Sequence, residues 1–295
     1  MKTINFMGRK KLWFGISLSL LALGLVFMLI NGGLNMGIDF VGGTSIHANL
    51  GKTFEVSEIR EIMDKYDQEA TITHAGPNKD QVIVRTKVTL DNAKRAEIIK
   101  AFSDKYAIQS QNIAFETIGP TVGKELSTQA IIAVLLAFAG IMVYVSFRFE
   151  WKFGAAALVA LFHDTAMMVA AYAVFQIPVN STFIAALLTI IGYSINDTIV
   201  IFDRIRENLK MEHGRKPDYD KLVNESVTQT LARSINTSIT TLLTILSLYF
   251  LGVPAIKEFA FPMIIGIVSG CYSTIFIASP VWVILRQKGK ASATR

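Results

Sequence analysis

The chain has 295 residues, of which 52% are hydrophobic and only 18% carry a charge. Soluble domains contain about 25% charged residues, so this composition argues against a soluble protein and favours a membrane protein. The single cysteine excludes an intramolecular disulfide framework and a cysteine-cluster metal site. The formal net charge of +6 fits either a nucleic-acid binder or a membrane protein with basic residues on its cytoplasmic side.

The first element is predicted to be a retained membrane anchor. Residues 12–38 contain no Asp, Glu, Lys or Arg, and they follow Lys10 and Lys11. A helix needs about 20 apolar residues to cross the hydrocarbon core. We therefore assign a first span to 12–31, after a cytoplasmic N-terminus of residues 1–11. The apolar run is long for a signal peptide, and no A-x-A cleavage pattern follows it.

Residues 32–126 are predicted to form a small extracytoplasmic α+β domain. Their periodicity indicates a strand at 43–50, a helix from Val56 to Tyr66, strands at 71–74 and 82–86, a helix capped by Asp91, and a last strand at 110–118. A turn is predicted at Gly76-Pro77-Asn78. The order β-α-β-β-α-β is that of the ferredoxin-like split βαβ unit. Such a domain either binds a partner or an extended polypeptide, or serves as a scaffold.

Further uncharged runs predict five more spans. The run 165–196 is too long for one span and is interrupted by Gln176, Pro178 and Asn180, so it is divided between two helices. The predicted spans are 127–147, 153–175, 181–203, 234–252 and 260–285, with a cytoplasmic loop at 204–233 and a cytoplasmic tail at 286–295.

The basic residues predict the orientation of the six spans. Six crossings place the N-terminus, the 148–152 turn, the 204–233 loop and the tail on one side, and all four are rich in Lys and Arg. The segment 32–126 has 11 basic and 13 acidic residues, so its net charge of −2 leaves +8 for the rest of the chain. Both termini are therefore predicted to be cytoplasmic. Nucleic-acid binding is disfavoured because the basic residues are scattered over four short segments.

Asp197 is the most informative charge inside a span. Charged residues are costly in a bilayer and usually face the interior of a helix bundle. Ser194, Asp197 and Thr198 are spaced i, i+3 and i+4, so they share one helix face. Asp197 can serve as a group that takes up and releases a proton, with Ser194 and Thr198 in support. The alternative is a structural Asp that caps a helix or links neighbouring helices.

Arg233 begins the fifth span at a depth similar to that of Asp197. The polar stripe on this span consists of Arg233, Thr237, Thr240 or Thr241, and Thr244. A switchable ion pair between Arg233 and Asp197 is geometrically reasonable, with Thr237 as a supporting polar group. Alternatively, Arg233 is an interfacial residue whose side chain extends to the membrane surface.

Asp164 and His163 lie near the middle of the third span. A His-Asp pair at such depth fits a proton relay. Adjacent residues do not share a helix face, however, so the two side chains need not touch each other. Asp164 can equally accept hydrogen bonds from Ser or Thr on a neighbouring helix.

Small residues are predicted to act as joints. Gly42-Gly43 and Gly119-Pro120 flank the extracytoplasmic domain and are predicted to be hinges or turns that join it to the first two spans. A hinge role is expected only if this domain moves relative to the spans.

Other motifs concern packing and chemistry. Gly266-x-x-x-Gly270 predicts close helix packing in the last span. The sequence contains no P-loop, no H-E-x-x-H and no G-x-S-x-G motif. We therefore expect neither a bound cofactor or metal nor an enzyme, and any work must be driven by an ion gradient or by a partner.

Seven segments in order along the chain resemble the SecF family of protein-export membrane subunits. These segments are GIDFVGGT at 37–44, IGPTVGKEL at 118–126, SFRFEWKFG at 146–154, ALFHD at 160–164, LTIIGYSINDTIVIFDRIREN at 188–208, TLARSINTS at 230–238 and YSTIFIASP at 272–280. Together they are highly specific, whereas GIDFVGGT or HD alone would be a weak signal.

The resemblance implies a fold, partners and an energy source. The fold is a polytopic bundle of six transmembrane helices related to half of a proton-driven RND exporter, with a small ferredoxin-like extracytoplasmic domain. The implied partners are SecD as a separate polypeptide, the SecYEG channel, the translocating preprotein and the lipid bilayer of the bacterial inner membrane. The implied driving force is the proton gradient, or sodium in some members. The family pattern places the central ion-coupling carboxylate at Asp197, with Arg233 and Asp164 as further coupling residues.

Two other functions would also use buried acids in a helix bundle. One is an RND-type small-solute exporter, but such exporters carry a large outer portion and the segment 32–126 has only 95 residues. The other is a purely structural assembly factor. Full activity of a variant neutralised at 164, 197 and 233 would favour that function.

Overall fold

The computed structural model describes residues 3–76, 78–212 and 217–291, with side chains as far as Gln287. Four parts of the predicted features lie outside the described residues: 1–2 of the N-terminal segment, Pro77 of the turn, 213–216 of the loop and 292–295 of the tail. Six helices of the described part are long and apolar enough to cross a membrane. The prediction of six spans is confirmed.

The described residues form ten α-helices and four strands. The helices are α1 Lys10–Ile30, α2 Ile38–Val41, α3 Val56–Met63, α4 Asn92–Tyr106, α5 Pro120–Arg148, α6 Trp151–Phe175, α7 Ser181–Met211, α8 Tyr219–Leu251, α9 Pro254–Ser273 and α10 Ser279–Ala291. The strands are β1 Gly43–Asn49, β2 Thr71–Ala75, β3 Gln81–Thr86 and β4 Ile113–Ile118.

The membrane helices are longer than the predicted spans at the end of the bundle that carries both termini, called here the terminus end. The α7 helix continues to Met211 and α8 begins at Tyr219, so most of the predicted loop 204–233 is helical. Two i,i+3 ion pairs within α7 stabilise this extension outside the apolar segment. At this end each predicted span stops next to a basic residue. Loss of apolarity, however, marks the edge of the hydrocarbon and not the end of a helix.

The last span is interrupted by a π-helical turn at Thr274–Ala278, between α9 and α10. Pro280 has no backbone N–H to donate, so the α-helical pattern cannot continue through it unchanged. At the end of the π turn, the Ser279 hydroxyl donates to the carbonyl of Thr274, at 3.0 Å. Such π turns within helices often occur near functional sites.

The four strands form one antiparallel sheet in the order β2-β3-β1-β4. This is the strand order of a ferredoxin-like fold, with α3 and α4 packed on one face, and the predicted fold class is confirmed. We call residues 43–118 the sheet domain. The predicted cap is also confirmed, since the Asp91 side chain accepts a hydrogen bond from the backbone of Lys94 at 2.8 Å.

The sheet domain has its own apolar core, separate from that of the bundle. Ile46 of β1 and Val84 of β3 are fully buried and face Ile98 and Phe102 of α4 within this core. Helical spacing in the sequence predicts a buried face of Ala96, Ile99, Phe102 and Tyr106 for this helix. In the structure Ala96 is exposed and Ile98 is buried in its place. The longer side chain fills the space under the sheet.

The segment before the sheet domain is fastened to the loop that precedes α7. The backbone of Gly37 donates to the carbonyl of Val179 at 2.7 Å, and Val179 donates to the carbonyl of Asn35 at 2.8 Å. A Cβ atom on residue 37 would lie 2.7 Å from the Val179 carbonyl oxygen, so only glycine permits this approach. The end of the bundle that carries these contacts is called the domain end.

Candidate functional site

Two glycines bring α9 against α7 in the middle of the bundle. A Cβ atom at Gly266 would overlap the side chain of Ile190, and one at Gly270 would lie 3.1 Å from Ser194. The close packing predicted from the Gly266-x-x-x-Gly270 motif is therefore confirmed. It places the polar side chains of α9 within hydrogen-bond distance of α6 and α7.

Asp164 of α6 lies at the centre of this contact and is only 1% exposed. Three serine hydroxyl groups donate to its carboxylate: Ser194 of α7 at 2.7 Å, Ser269 of α9 at 2.7 Å and Ser273 of α9 at 2.8 Å. Each of the three hydroxyl groups directs its hydrogen at the carboxylate, so the cluster is arranged to surround the negative charge of Asp164. A bound cation would require the hydroxyl oxygens, not their hydrogens, to face the ion.

The structure brings His163 and Asp164 together although they are adjacent in sequence. His163 Nδ1 lies 3.1 Å from Asp164 Oδ1. On the other side of the ring, Nε2 lies 3.0 Å from the hydroxyl oxygen of Ser17 on α1. The sequence argument left this contact open because adjacent residues diverge on a helix.

Asp197 of α7 has far fewer partners. It is 6% exposed, and the hydroxyl of Ser238 on α8 lies 3.4 Å from its Oδ2, at the limit of a hydrogen bond. The expected supporting residues point elsewhere: Ser194 donates to Asp164, and Thr198 bonds to Thr274 at 3.0 Å. Among the described residues, Ser238 is the one hydrogen-bond donor recorded for Asp197.

Arg233 of α8 is exposed and forms no ion pair with Asp197 within the described part of the chain. Thr237 does not bridge the two, because its hydroxyl donates back to the carbonyl of Arg233 at 2.6 Å. The expected ion pair is therefore not formed in this conformation, and whether the two side chains switch remains a prediction.

One surface of the bundle is unusual for a membrane protein. On α7 and α8, small and polar side chains are exposed at helical spacing, and we call this surface the polar face. Its members are Ala185, Thr189, Gly192, Asn196, Arg233, Asn236, Thr237, Thr240 and Thr244. By contrast, the exposed large residues of α1 and α5 are mostly Leu, Ile, Val and Phe. Lipid suits the second surface, whereas the polar face is of the kind that packs against another helix.

The residues predicted as hinges lie where the sheet domain joins α5. Gly42 and Gly43 have φ values of +85° and +149°, which favour glycine. A Cβ atom at Gly43 would overlap the carbonyl oxygen of Thr86. Gly119 has open space around it, and Pro120 occupies the first turn of α5. The hinge role remains a prediction. Of the two predicted hinges, Gly42-Gly43 is tightly packed, whereas Gly119 is not.

Residues 98–288 match the sequence profile of the family described as "Protein export membrane protein SecD/SecF, C-terminal". The chain belongs to this family. The protein translocase subunit SecF of Alicyclobacillus acidocaldarius is 38% identical over 97% of this chain and 94% of that protein. The resemblance read from the seven sequence segments is confirmed.

Longer members of the family contain a region similar to this chain. The protein translocase subunit SecDF of Thermus thermophilus is 39% identical over 97% of this chain, which corresponds to 39% of that protein. The crystal structure of SecDF from Thermus thermophilus, titled a translocon-associated membrane protein, superposes with a TM-score of 0.83 at 37% identity. Its sequence covers 97% of this chain, and the chain spans 39% of it.

Ser17, Ser269, Tyr272 and Ser273 belong to the site, but their roles were not predicted from the sequence of this family member. All four lie within uncharged spans, where a lone hydroxyl is a weak signal. Two clues were available: Ser269 and Ser273 follow the two glycines of the packing motif by three residues each, and Tyr272 and Ser273 begin the last of the seven segments.

Proposed function

We propose that the chain is the SecF-type subunit of a bacterial protein-export complex and that it uses the proton gradient to promote preprotein movement through SecYEG. In this proposal the protein lies in the inner membrane with both termini in the cytoplasm. The observation that carries the proposal is the buried Asp197, which has one long hydrogen bond at 3.4 Å and lies beside the polar face. A buried acid with so few partners is suited to change its proton occupancy.

The polar face provides the surface for SecD. Exposed Asn and Arg side chains are costly next to lipid, and a partner helix would cover them. Gly192 and Ala185 leave room for close approach of a second helix backbone. The SecDF relatives support this arrangement, because they carry the region similar to this chain within a protein more than twice as long.

Arg233 acts as the charge that responds to the proton on Asp197. When Asp197 is ionised, Arg233 is attracted toward it. When Asp197 is protonated, that attraction is lost and Arg233 is free to interact with SecD. Each proton that crosses supplies about 2.3 kcal/mol per 100 mV of membrane potential, before any pH difference.

The sheet domain and the α2 segment before it are connected to α7 and α9, two of the helices that carry buried polar residues. The carboxylate of Asp39 on α2 accepts a hydrogen bond from the backbone of Ser181, the first residue of α7, at 2.8 Å. Glu258 of α9 pairs with Arg85 of β3 at 2.6 Å and accepts from Asn180, the N-cap of α7, at 3.0 Å. Displacement of α7 or α9 would thus be transmitted to the sheet domain, which in this proposal contacts the emerging preprotein.

The test is Asp197→Asn in a translocase reconstituted with SecD and SecYEG, with and without a proton gradient. We expect the gradient to lose its stimulation of late-stage export while the ATP-driven stage is retained. Asp203→Asn is a matched control, since Asp203 is on the same helix but pairs with Arg206 at the membrane edge. If the gradient still stimulated export in Asp197→Asn, the proposed role would be wrong.

Two further comparisons separate the alternatives. Measurement of export at fixed membrane potential with and without sodium distinguishes proton from sodium coupling. Full export by a variant neutralised at Asp164, Asp197 and Arg233 would instead indicate a structural assembly factor.

A further inference from the structure

A chain of hydrogen bonds connects the buried acid of α6 to the first membrane helix. Ser17 is 4% exposed and lies between two groups: His163 Nε2 at 3.0 Å and the hydroxyl oxygen of Tyr272 at 3.3 Å. The Tyr272 hydroxyl in turn donates to the backbone carbonyl of Trp13 at 2.7 Å. This series of hydrogen bonds therefore joins α6, α1 and α9, and its last member, Trp13, lies toward the terminus end of the bundle.

The donor and the acceptor of each hydrogen bond in this series can be assigned by starting from the carbonyl of Trp13. A carbonyl oxygen only accepts, so the single hydroxyl hydrogen of Tyr272 is used on Trp13. The contact between Ser17 and Tyr272 then requires the hydroxyl hydrogen of Ser17. With its hydrogen used, the Ser17 oxygen can only accept from His163. Nε2 of His163 therefore carries a proton.

A second proton lies on the opposite side of the imidazole ring. Nδ1 faces Asp164 Oδ1 at 3.1 Å, and the three serine hydroxyls already donate to the same carboxylate. A lone pair on Nδ1 facing an ionised carboxylate would be repulsive. One proton must therefore lie between Nδ1 and Oδ1, whichever atom formally holds it. With it, four donors reach the four lone-pair positions of the carboxylate, and every partner is satisfied.

We propose that His163 and Asp164 together hold one proton as a second proton-binding site of the bundle, and that Ser17 and Tyr272 couple its occupancy to the attachment of α1. The shared proton follows from hydrogen-bond geometry alone, whereas its use in export rests on the function proposed above. Outside the pair itself, the titratable side chain that it contacts is Tyr272, through Ser17 and through the ring stacked on His163. Among the described residues of α1, the nearest charge is Lys11, about 9 Å along the helix from Ser17.

Loss of the shared proton to water breaks one link of the chain. His163 then retains one N–H for two neighbours. If Nδ1 keeps it for Asp164, Ser17 must turn its hydroxyl hydrogen from Tyr272 to the bare Nε2. If the remaining proton is on Nε2 and bonds to Ser17, no hydrogen lies between Nδ1 and the carboxylate of Asp164. The second state leaves the repulsive contact between Nδ1 and the carboxylate, so the first state is favoured. In the first state the hydrogen bond from Ser17 to Tyr272 is lost, so α1 is held less firmly to α9, and α1 precedes α2 and the sheet domain in the sequence.

The test uses the full chain in complex with SecD in lipid bilayers, with ¹⁵N-labelled histidine. The chain has four histidines, so the His163 signals are assigned by comparison with His163→Gln. We expect near neutral pH to find a proton on Nε2 and a second proton bound at or near Nδ1. A His163 ring with a bare Nε2 would overturn the proposal, whatever the export result for Asp197→Asn.

Two variants test the coupling to α1. Ser17→Ala removes the acceptor for Nε2–H, and Tyr272→Phe removes only the terminal hydroxyl while the ring stacked on His163 remains. We expect the Nε2 proton to exchange with water at least about tenfold faster in Ser17→Ala, the factor that corresponds to one charge-assisted hydrogen bond. Ser19→Ala is the matched control, since its hydroxyl bonds only to the Gly15 carbonyl on the exposed side of α1.

The export assay completes the test. Ser17→Ala and Tyr272→Phe should both alter the pH profile of gradient-driven export, and Ser19→Ala should not. Unchanged proton exchange and an unchanged pH profile in both variants would show that α1 does not respond to the proton.

Discussion

The polar face can be tested with a single methyl group at Gly192. This glycine of α7 is exposed, and a Cβ atom built on it meets nothing within 4 Å in this chain. Gly192→Ala should therefore leave the isolated protein as stable as the wild type, or stabilise it by up to about 1 kcal/mol through helix propensity. If a SecD helix packs closely on this face, the same methyl group would overpack the interface at a cost of about 1–3 kcal/mol.

The assay compares thermal stability of the protein alone in detergent with its affinity for SecD. We expect unchanged or higher stability and SecD binding that is weaker by about 5- to 150-fold, the ratio for 1–3 kcal/mol. Gly140→Ala is a matched control, because Gly140 is also exposed with open space but lies on the apolar surface of α5. Wild-type affinity of Gly192→Ala for SecD would refute the assignment of the polar face as the SecD interface.

Two other predictions concern the sheet domain. Arg85→Glu or Glu258→Arg should each weaken the link between the domain and α9 by about 1–2 kcal/mol, since the pair is 2.6 Å apart and about three-quarters buried. The double variant Arg85→Glu with Glu258→Arg should restore only part of the lost thermal stability, because an arginine side chain cannot accept the hydrogen bond from Asn180. No restoration at all would argue against a direct pair. Burial, and then the hydrogen bond to Glu58, raise the pKa of Tyr106 above its ordinary value. Its stabilising contribution is complete below the unfolded pKa of about 10 and is lost as pH rises toward the folded value, so urea unfolding of Tyr106→Phe should depend less on alkaline pH.

Much of the fold could be predicted because it follows from local chemistry. The bilayer requires long apolar runs, and the alternation of side chains in β3 follows from burial of one face of the sheet. The Asp91 cap also follows from sequence, because a short acidic side chain can satisfy the free N–H groups of the first turn. The extent of α7 and α8 could not be predicted from apolarity, since their charged ends continue as helix outside the membrane.

The site was less predictable because it depends on which helices touch. Asp164, Asp197 and Arg233 could be found as charges in or next to apolar runs. The partners of Asp164 could not, because serine in a membrane helix most often bonds to its own backbone. Only the packing of α9 on α7 through Gly270 distinguishes the serines that reach Asp164 from those that do not.

The contrast between the two buried acids indicates that they have different roles. Asp164 accepts from three serines and contacts His163, so any change in its charge must break several hydrogen bonds on three helices. Such a group holds the bundle together and changes state only together with its surroundings. Asp197 has one bond at 3.4 Å and lies beside the polar face. In the function proposed above, its proton occupancy changes at little cost to the internal packing, and the partner proposed to cover the polar face determines the consequence.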